Sequence, residues 1–215
     1  MIYQLKTQHS VTGVMKIDKS SEELLNMLRD KSLYINELSS IKSETRRAEW
    51  LAVRVLTEHL FAGVIGSVEM PYIIYNIDGS PALKDNRLNI SISHTKGFAA
   101  VIIGSNPRQG IDIEFISDRA WRLRERFSET HDYSCNEEEN CKLLATIFWC
   151  AKETAFKALH QNEVDFIKHL HIIPFLFNET KKEGVFMLEE TKTAYNHIFS
   201  INYKITDEYI LTWTE

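Results

Sequence analysis

"RLNISISHTKGFAAVIIGSNPRQGIDIEF", residues 87–115, contains the change of period on which the fold turns. Leu88, Ile90 and Ile92 alternate with Asn89, Ser91 and Ser93, and turn residues interrupt the run at Thr95-Lys96-Gly97 and again from Ser105 to Gly110. Period-2 alternation bounded by turn residues predicts strands, here near 87–93, 98–103 and 110–115, read as three neighbours. The last one raises a question. Ile111 and Ile113 point one way, into a core, so Asp112 and Glu114 share the opposite face.

Working outward, the period changes to that of helices. "KSETRRAEWLAVRVLTEHLFAG" (42–63) offers Ser43 as a cap, Trp50, Leu51, Val53, Leu56 and Leu60 as a core stripe, and Gly63 as a stop. Before it, a strand at the N-terminus leads to "SSEELLNMLRD" (20–30), whose serines and glutamates ahead of spaced apolar residues signal a helix start. Downstream, "NEEENCKLLATIFWCAKETAFKALHQ" (136–161) begins with Asn136 and Glu139 at capping-box spacing. Strands near 170–177, 184–189, 196–204 and 208–213 follow. Helix-then-meander thus occurs twice. The expected fold is α+β, with two pseudo-symmetric halves, 1–105 and 106–215, each a long helix packed on a small antiparallel sheet. Clefts between halves are common ligand sites, and the expected active site lies between these two.

Composition narrows the classes. With 44% apolar and 26% charged residues, 215 residues suffice for real cores. The net charge of −5 excludes a generally basic surface for duplex nucleic acid, so an anionic ligand needs a local basic pocket. No apolar run reaches the roughly 18 residues that span a bilayer, and "MIYQLKTQHS" lacks the pattern of a signal peptide. A cytoplasmic location is expected. Cys135, Cys141 and Cys150 are odd in number without CxxC spacing, and reduced thiols are expected.

Two like charges at i and i+2 raise a pKa or call for a cation, and hard oxygens at short separation suit Mg²⁺ better than zinc. A solvated acidic strand face is the plainer alternative. On the helix at 136–161, Leu144, Ile147, Ala151, Ala155 and Ala158 form the core stripe, whereas Trp149, Glu153 and Lys157, each four apart, lie together elsewhere. Glu153 could be a third carboxylate for the same metal, with Lys152 and Lys157 available for a phosphate. An ordinary Glu–Lys pair beside a tryptophan is the alternative. His94 falls where a strand enters a turn, a place where an imidazole and backbone N–H groups can hold a phosphate oxygen. Arg46 and Arg47 stand at a helix start, against the dipole preference, and cations so placed often meet an anion.

Taken in order, "GSPAL" (79–83), "NISISHT" (89–95), "GIDIE" (110–114) and "FWCAKETAFKAL" (148–159) resemble the signature of the Sfp-type 4′-phosphopantetheinyl transferases. The resemblance implies that fold, of two pseudo-symmetric halves, and an activity of the holo-[acyl-carrier-protein] synthase type. Coenzyme A would donate 4′-phosphopantetheine to a serine of an apo acyl or peptidyl carrier protein, and 3′,5′-ADP would leave. Asp112, Glu114 and Glu153 would bind Mg²⁺, and Glu153, Lys157 and Asp112 would be catalytic, Glu153 as base and Lys157 at the transferring or leaving phosphate. Lys152, Ser93 and His94 would serve the phosphates of coenzyme A, Ser80 and Pro81 its nucleotide end, and an arginine from Arg46, Arg47 or Arg54 its adenylyl end.

There are departures. The family's Gly-Lys-Pro is Gly79-Ser80-Pro81 here, so a cation is missing that Lys84 or Arg87 could replace, and its Ser-His-Ser is Ser93-His94-Thr95. The stretch after GIDIE, residues 119–128, carries Arg119, Arg122, Arg124 and Arg126 where the family presents an element to its acidic, transiently bound carrier. Neither nucleic acid nor membrane is an expected partner, and a monomer is expected. A metal-dependent nucleotide hydrolase, or a non-catalytic module that binds coenzyme A or a carrier, is the alternative.

Overall fold

The apolar residues gather into two separate cores, one in each half of the sequence. The structure, a computed structural model, describes residues 3–65, 71–129, 137–178 and 180–215. The chain divides into two units, Met1–Pro107 and Arg108–Glu215.

In the first unit, β1 (Tyr3–Lys6) and β2 (Ser10–Lys16) form a hairpin ahead of α1 (Ser21–Met27). The predicted start of α1 is a full capping box: Glu23 N–H donates to Ser20 Oγ at 3.2 Å, and Ser20 N–H donates to the Glu23 carboxylate at 2.9 Å. A six-residue helix, α2 (Ile35–Ser40), was not anticipated. The long α3 (Glu44–Ile65) buries Leu51, Val53, Leu56 and Leu60 and half-buries Trp50. Gly63 does not stop it. The helix runs two residues further, since no left-handed residue breaks its hydrogen bonding there. Then come the small hairpin β3 (Ile73–Tyr75) and β4 (Pro81–Leu83), and the hairpin β5 (Asn89–Thr95) and β6 (Phe98–Gly104). The β5–β6 turn is made by Gly97 at φ +79°, open only to glycine at low cost. The sheet order is β1-β2-β6-β5, antiparallel throughout, with α3 packed against β6 and β2.

The second unit contains β7 (Gly110–Phe115), α4 (Arg119–Leu123), α5 (Glu138–Leu159), β8 (Leu170–Ile172), β9 (Glu183–Glu190), β10 (Ile198–Ile205) and β11 (Tyr209–Thr214). Its sheet order is β7-β11-β10-β9-β8, again antiparallel. This corrects the three-neighbour reading of residues 87–115. Because β6 is already hydrogen-bonded on both sides, to β2 and β5, the next strand cannot add to it. It pairs instead with β11, from Gly110↔Thr214 to Phe115↔Tyr209. Strand β8 stops at Ile172, short of the expected 177, and Pro174, which has no N–H for a ladder, follows two residues later.

Helix α5 has Glu138 and Glu139 on its first turn, where the helix dipole favours them, and the expected core stripe is fully buried. Asn136, the expected cap, lies outside the described residues, as does Cys135. Cys141, half-buried near the helix start, is disulfide-bonded, so the expectation of reduced thiols fails there; Cys150, packed in the core, is a free thiol. The architecture is α+β. Both units follow one plan, in which a 22-residue helix crosses a sheet whose last strand lies beside an early one. Among the described residues, no helix is long and apolar enough to cross a membrane.

Candidate active site

On β7 Asp112 is buried and Glu114 half-buried, because α5 comes very close to that strand. A Cβ at Gly110 would collide with the Thr154 carbonyl oxygen, so only glycine permits this approach. Beside it the fully buried Thr154 places its Oγ1 2.6 Å from Thr212 Oγ1, and Thr212 is the residue paired with Asp112 on β11. In that register, three side chains of one α5 stripe meet the acidic face of β7. Trp149 Nε1 donates to Glu114 Oε1 at 2.8 Å, and Lys157 Nζ donates to Asp112 Oδ1 at 2.7 Å and to Ile111 O at 3.1 Å. Glu153 lies one turn from each of these, half-buried, while Asp112 is only 4% exposed.

Negative charge exceeds its compensation here. Burial, and next the charge of Asp112, pushes the Glu153 carboxyl up to about 7, with Lys157 opposing. The same two causes raise Glu114, against the Trp149 hydrogen bond and the charges of Arg119 and Lys157. Three acids sharing so much unrelieved charge, all hard oxygen donors, fit a divalent cation such as Mg²⁺. As the side chains stand, no three His, Cys, Asp or Glu among the described residues converge as ligands. Lys157 engages Oδ1 of Asp112 and Trp149 engages Oε1 of Glu114, one oxygen of each carboxylate.

Lys152, expected at a phosphate, is held inside the protein. It is 2% exposed, and its Nζ donates to Phe127 O at 2.6 Å and to Phe166 O at 2.8 Å, so the ammonium points into the protein and not toward a phosphate. On α4 and the turn after it, Arg119, Arg122 and Arg126 are exposed. Arg124 is not equivalent, because its guanidinium packs 4.1 Å above the Trp121 ring and donates to Trp121 O.

In the first unit the structure separates the three candidate arginines. Arg46 Nη1 lies 2.8 Å from His94 Nε2 and 3.3 Å from Glu49 Oε2, an exposed cluster where the start of α3 meets the end of β5. Arg47 donates Nε to Ile41 O at 2.6 Å, capping the preceding segment. Arg54 is a core residue, 1% exposed, its Cζ 3.2 Å from the Trp50 ring centroid and Nη1 donating to Trp50 O. One donor of Arg47 is thus given to backbone, and the guanidinium of Arg54 stands in the core of the first unit. Ser93 is buried on β5. Ser80 accepts from Asn76 Nδ2 and donates to Asp78 within its own turn, and Pro81 opens β4. Arg87 donates to Asp85 at 2.7 Å.

Sequence reasoning missed Glu49, whose only signal was its i+3 spacing from Arg46. It also missed Phe127 and Phe166, which flank Trp149 with ring centroids at 5.2 and 5.6 Å. Nothing local to the sequence reveals those two contacts.

The family model of the 4′-phosphopantetheinyl transferase superfamily matches residues 108–214, all but the last residue of the second unit. Through this unit the chain belongs to that superfamily, which makes it a transferase of the phosphopantetheinyl type. No curated protein matches the chain.

Proposed function

We propose that this protein transfers the 4′-phosphopantetheine of coenzyme A to a serine of an apo acyl or peptidyl carrier protein, as a cytoplasmic monomer that requires Mg²⁺. The observation that carries the reading is the group formed by buried Asp112 with half-buried Glu114, Glu153 and Lys157 in the unit that matches the superfamily. Asp112, Glu114 and Glu153 would hold the metal. When bound, it neutralises charge on the diphosphate oxygens.

The remaining roles fall to this chain's own side chains. Glu153, the carboxylate that stands one turn before Lys157 on the same stripe of α5, would take the proton of the carrier serine. The serine Oγ bonds to the β-phosphorus, the bond from that phosphorus to the bridging oxygen breaks, and 3′,5′-ADP leaves with the electron pair. Lys157, the lysine that reaches these carboxylates, provides positive charge beside the reacting phosphate. Of Arg46, Arg47 and Arg54, Arg46 is the one whose guanidinium lies beside His94, and this pair would meet a phosphate of coenzyme A. Arg119, Arg122 and Arg126 steer an acidic carrier.

The test is release of 3′,5′-ADP from coenzyme A and Mg²⁺ with and without apo carrier. Release only with the carrier supports transfer. Release of a nucleotide product without it would instead make the protein a hydrolase.

A further inference from the structure

Lys152 is charged, yet almost fully buried on α5. A buried ammonium is tolerated where its hydrogen bonds are made, and here they go to two backbone carbonyls far apart in sequence, Phe127 O and Phe166 O. One precedes and the other follows α5, so the ammonium ties both flanking segments to the helix. The side chains of those same two residues close on Trp149, one turn back along α5. The Phe127 ring meets it edge-on at 63°, and the Phe166 ring is tilted at 40°, with Phe156 behind Phe166 at 5.9 Å. A ring held from both sides keeps one orientation, the one in which its N–H reaches Glu114.

We propose that Lys152 is a positioning residue and not a phosphate ligand: its ammonium fixes the two backbone segments whose phenyl rings bracket Trp149, and so aims Glu114. What Glu114 is aimed at, the metal, rests on the transferase reading above; the bracket does not. A phosphate ligand and a bracket differ in what their loss weakens. Loss of a phosphate ligand weakens coenzyme A binding, whereas loss of the support behind a metal ligand lowers metal affinity.

The experiment compares wild type, Lys152→Met, Trp149→Phe and the double variant. Calorimetry gives the Kd of coenzyme A in EDTA and the Kd of Mg²⁺, and transfer assays give the Mg²⁺ concentration for half-maximal rate. Lys152→Met and Trp149→Phe each weaken Mg²⁺ by about tenfold with coenzyme A affinity unchanged. The double variant is no worse than either single one, because both act through one indole. Weakened coenzyme A binding with unchanged Mg²⁺ affinity in Lys152→Met overturns the proposal, as does full additivity. Should Lys152→Met fail to fold, Phe127→Leu and Phe166→Leu probe the same bracket, and unchanged Mg²⁺ affinity in both overturns it. A wild type that binds coenzyme A and Mg²⁺ but transfers nothing sinks the functional reading alone, since the Mg²⁺ affinities still decide the bracket.

Discussion

Glu153 binds its proton more tightly in the folded protein than in the unfolded chain, with its carboxyl raised from 4.5 to about 7 by burial and by Asp112. A carboxyl raised in this way contributes stability that is complete below about pH 4.5 and is lost as pH rises through about 7. Without metal, the melting temperature of wild type therefore falls more from pH 5 to pH 8 than that of Glu153→Gln, and saturating Mg²⁺ recovers the difference at pH 8. Parallel pH profiles for the two proteins contradict this. Asp112→Ala or Glu153→Ala abolishes transfer while circular dichroism stays native, and activity retained at saturating Mg²⁺ removes the metal assignment. The residues of β7 were legible because alternation alone puts Asp112 and Glu114 on one face. Arg54 was not. Its burial depends on Tyr34 and Trp50, whose rings stack edge to face at 5.7 Å, and on Tyr75, and no helical period reveals such company.

At the scale of elements, the site depends on how closely α5 approaches β7. Gly110→Ala forces a methyl group against the Thr154 carbonyl, and backbone cannot yield as a side-chain tip can. It should cost about 1–3 kcal/mol in denaturant unfolding and slow transfer well beyond what lost stability explains. An alanine variant of wild-type stability and rate contradicts the close approach. The long helices and the β5–β6 hairpin could be read from period and turn residues. The partner of β7 could not, because alternation tells which face a side chain takes but not which strand, here almost a hundred residues away, accepts the hydrogen bonds. Helix α2 was missed for a related reason: six residues are too few to show a period, and no side chain caps it.

For the whole molecule, the net charge of −5 would repel an acidic carrier, and in the proposed reading the exposed Arg119, Arg122 and Arg126 supply the local attraction. Reversing Arg122 and Arg126 to glutamate should raise the KM for carrier about tenfold or more and leave that for coenzyme A unchanged, with added salt narrowing the gap. Equal KM values in both proteins would move the docking surface elsewhere. The central claim is tested most directly by the intact mass of an apo acyl carrier protein incubated with this protein and coenzyme A, with Mg²⁺ or with EDTA. The carrier gains one phosphopantetheine with Mg²⁺ and none with EDTA. No gain on several apo carriers, by a protein that measurably binds coenzyme A, would contradict the claim.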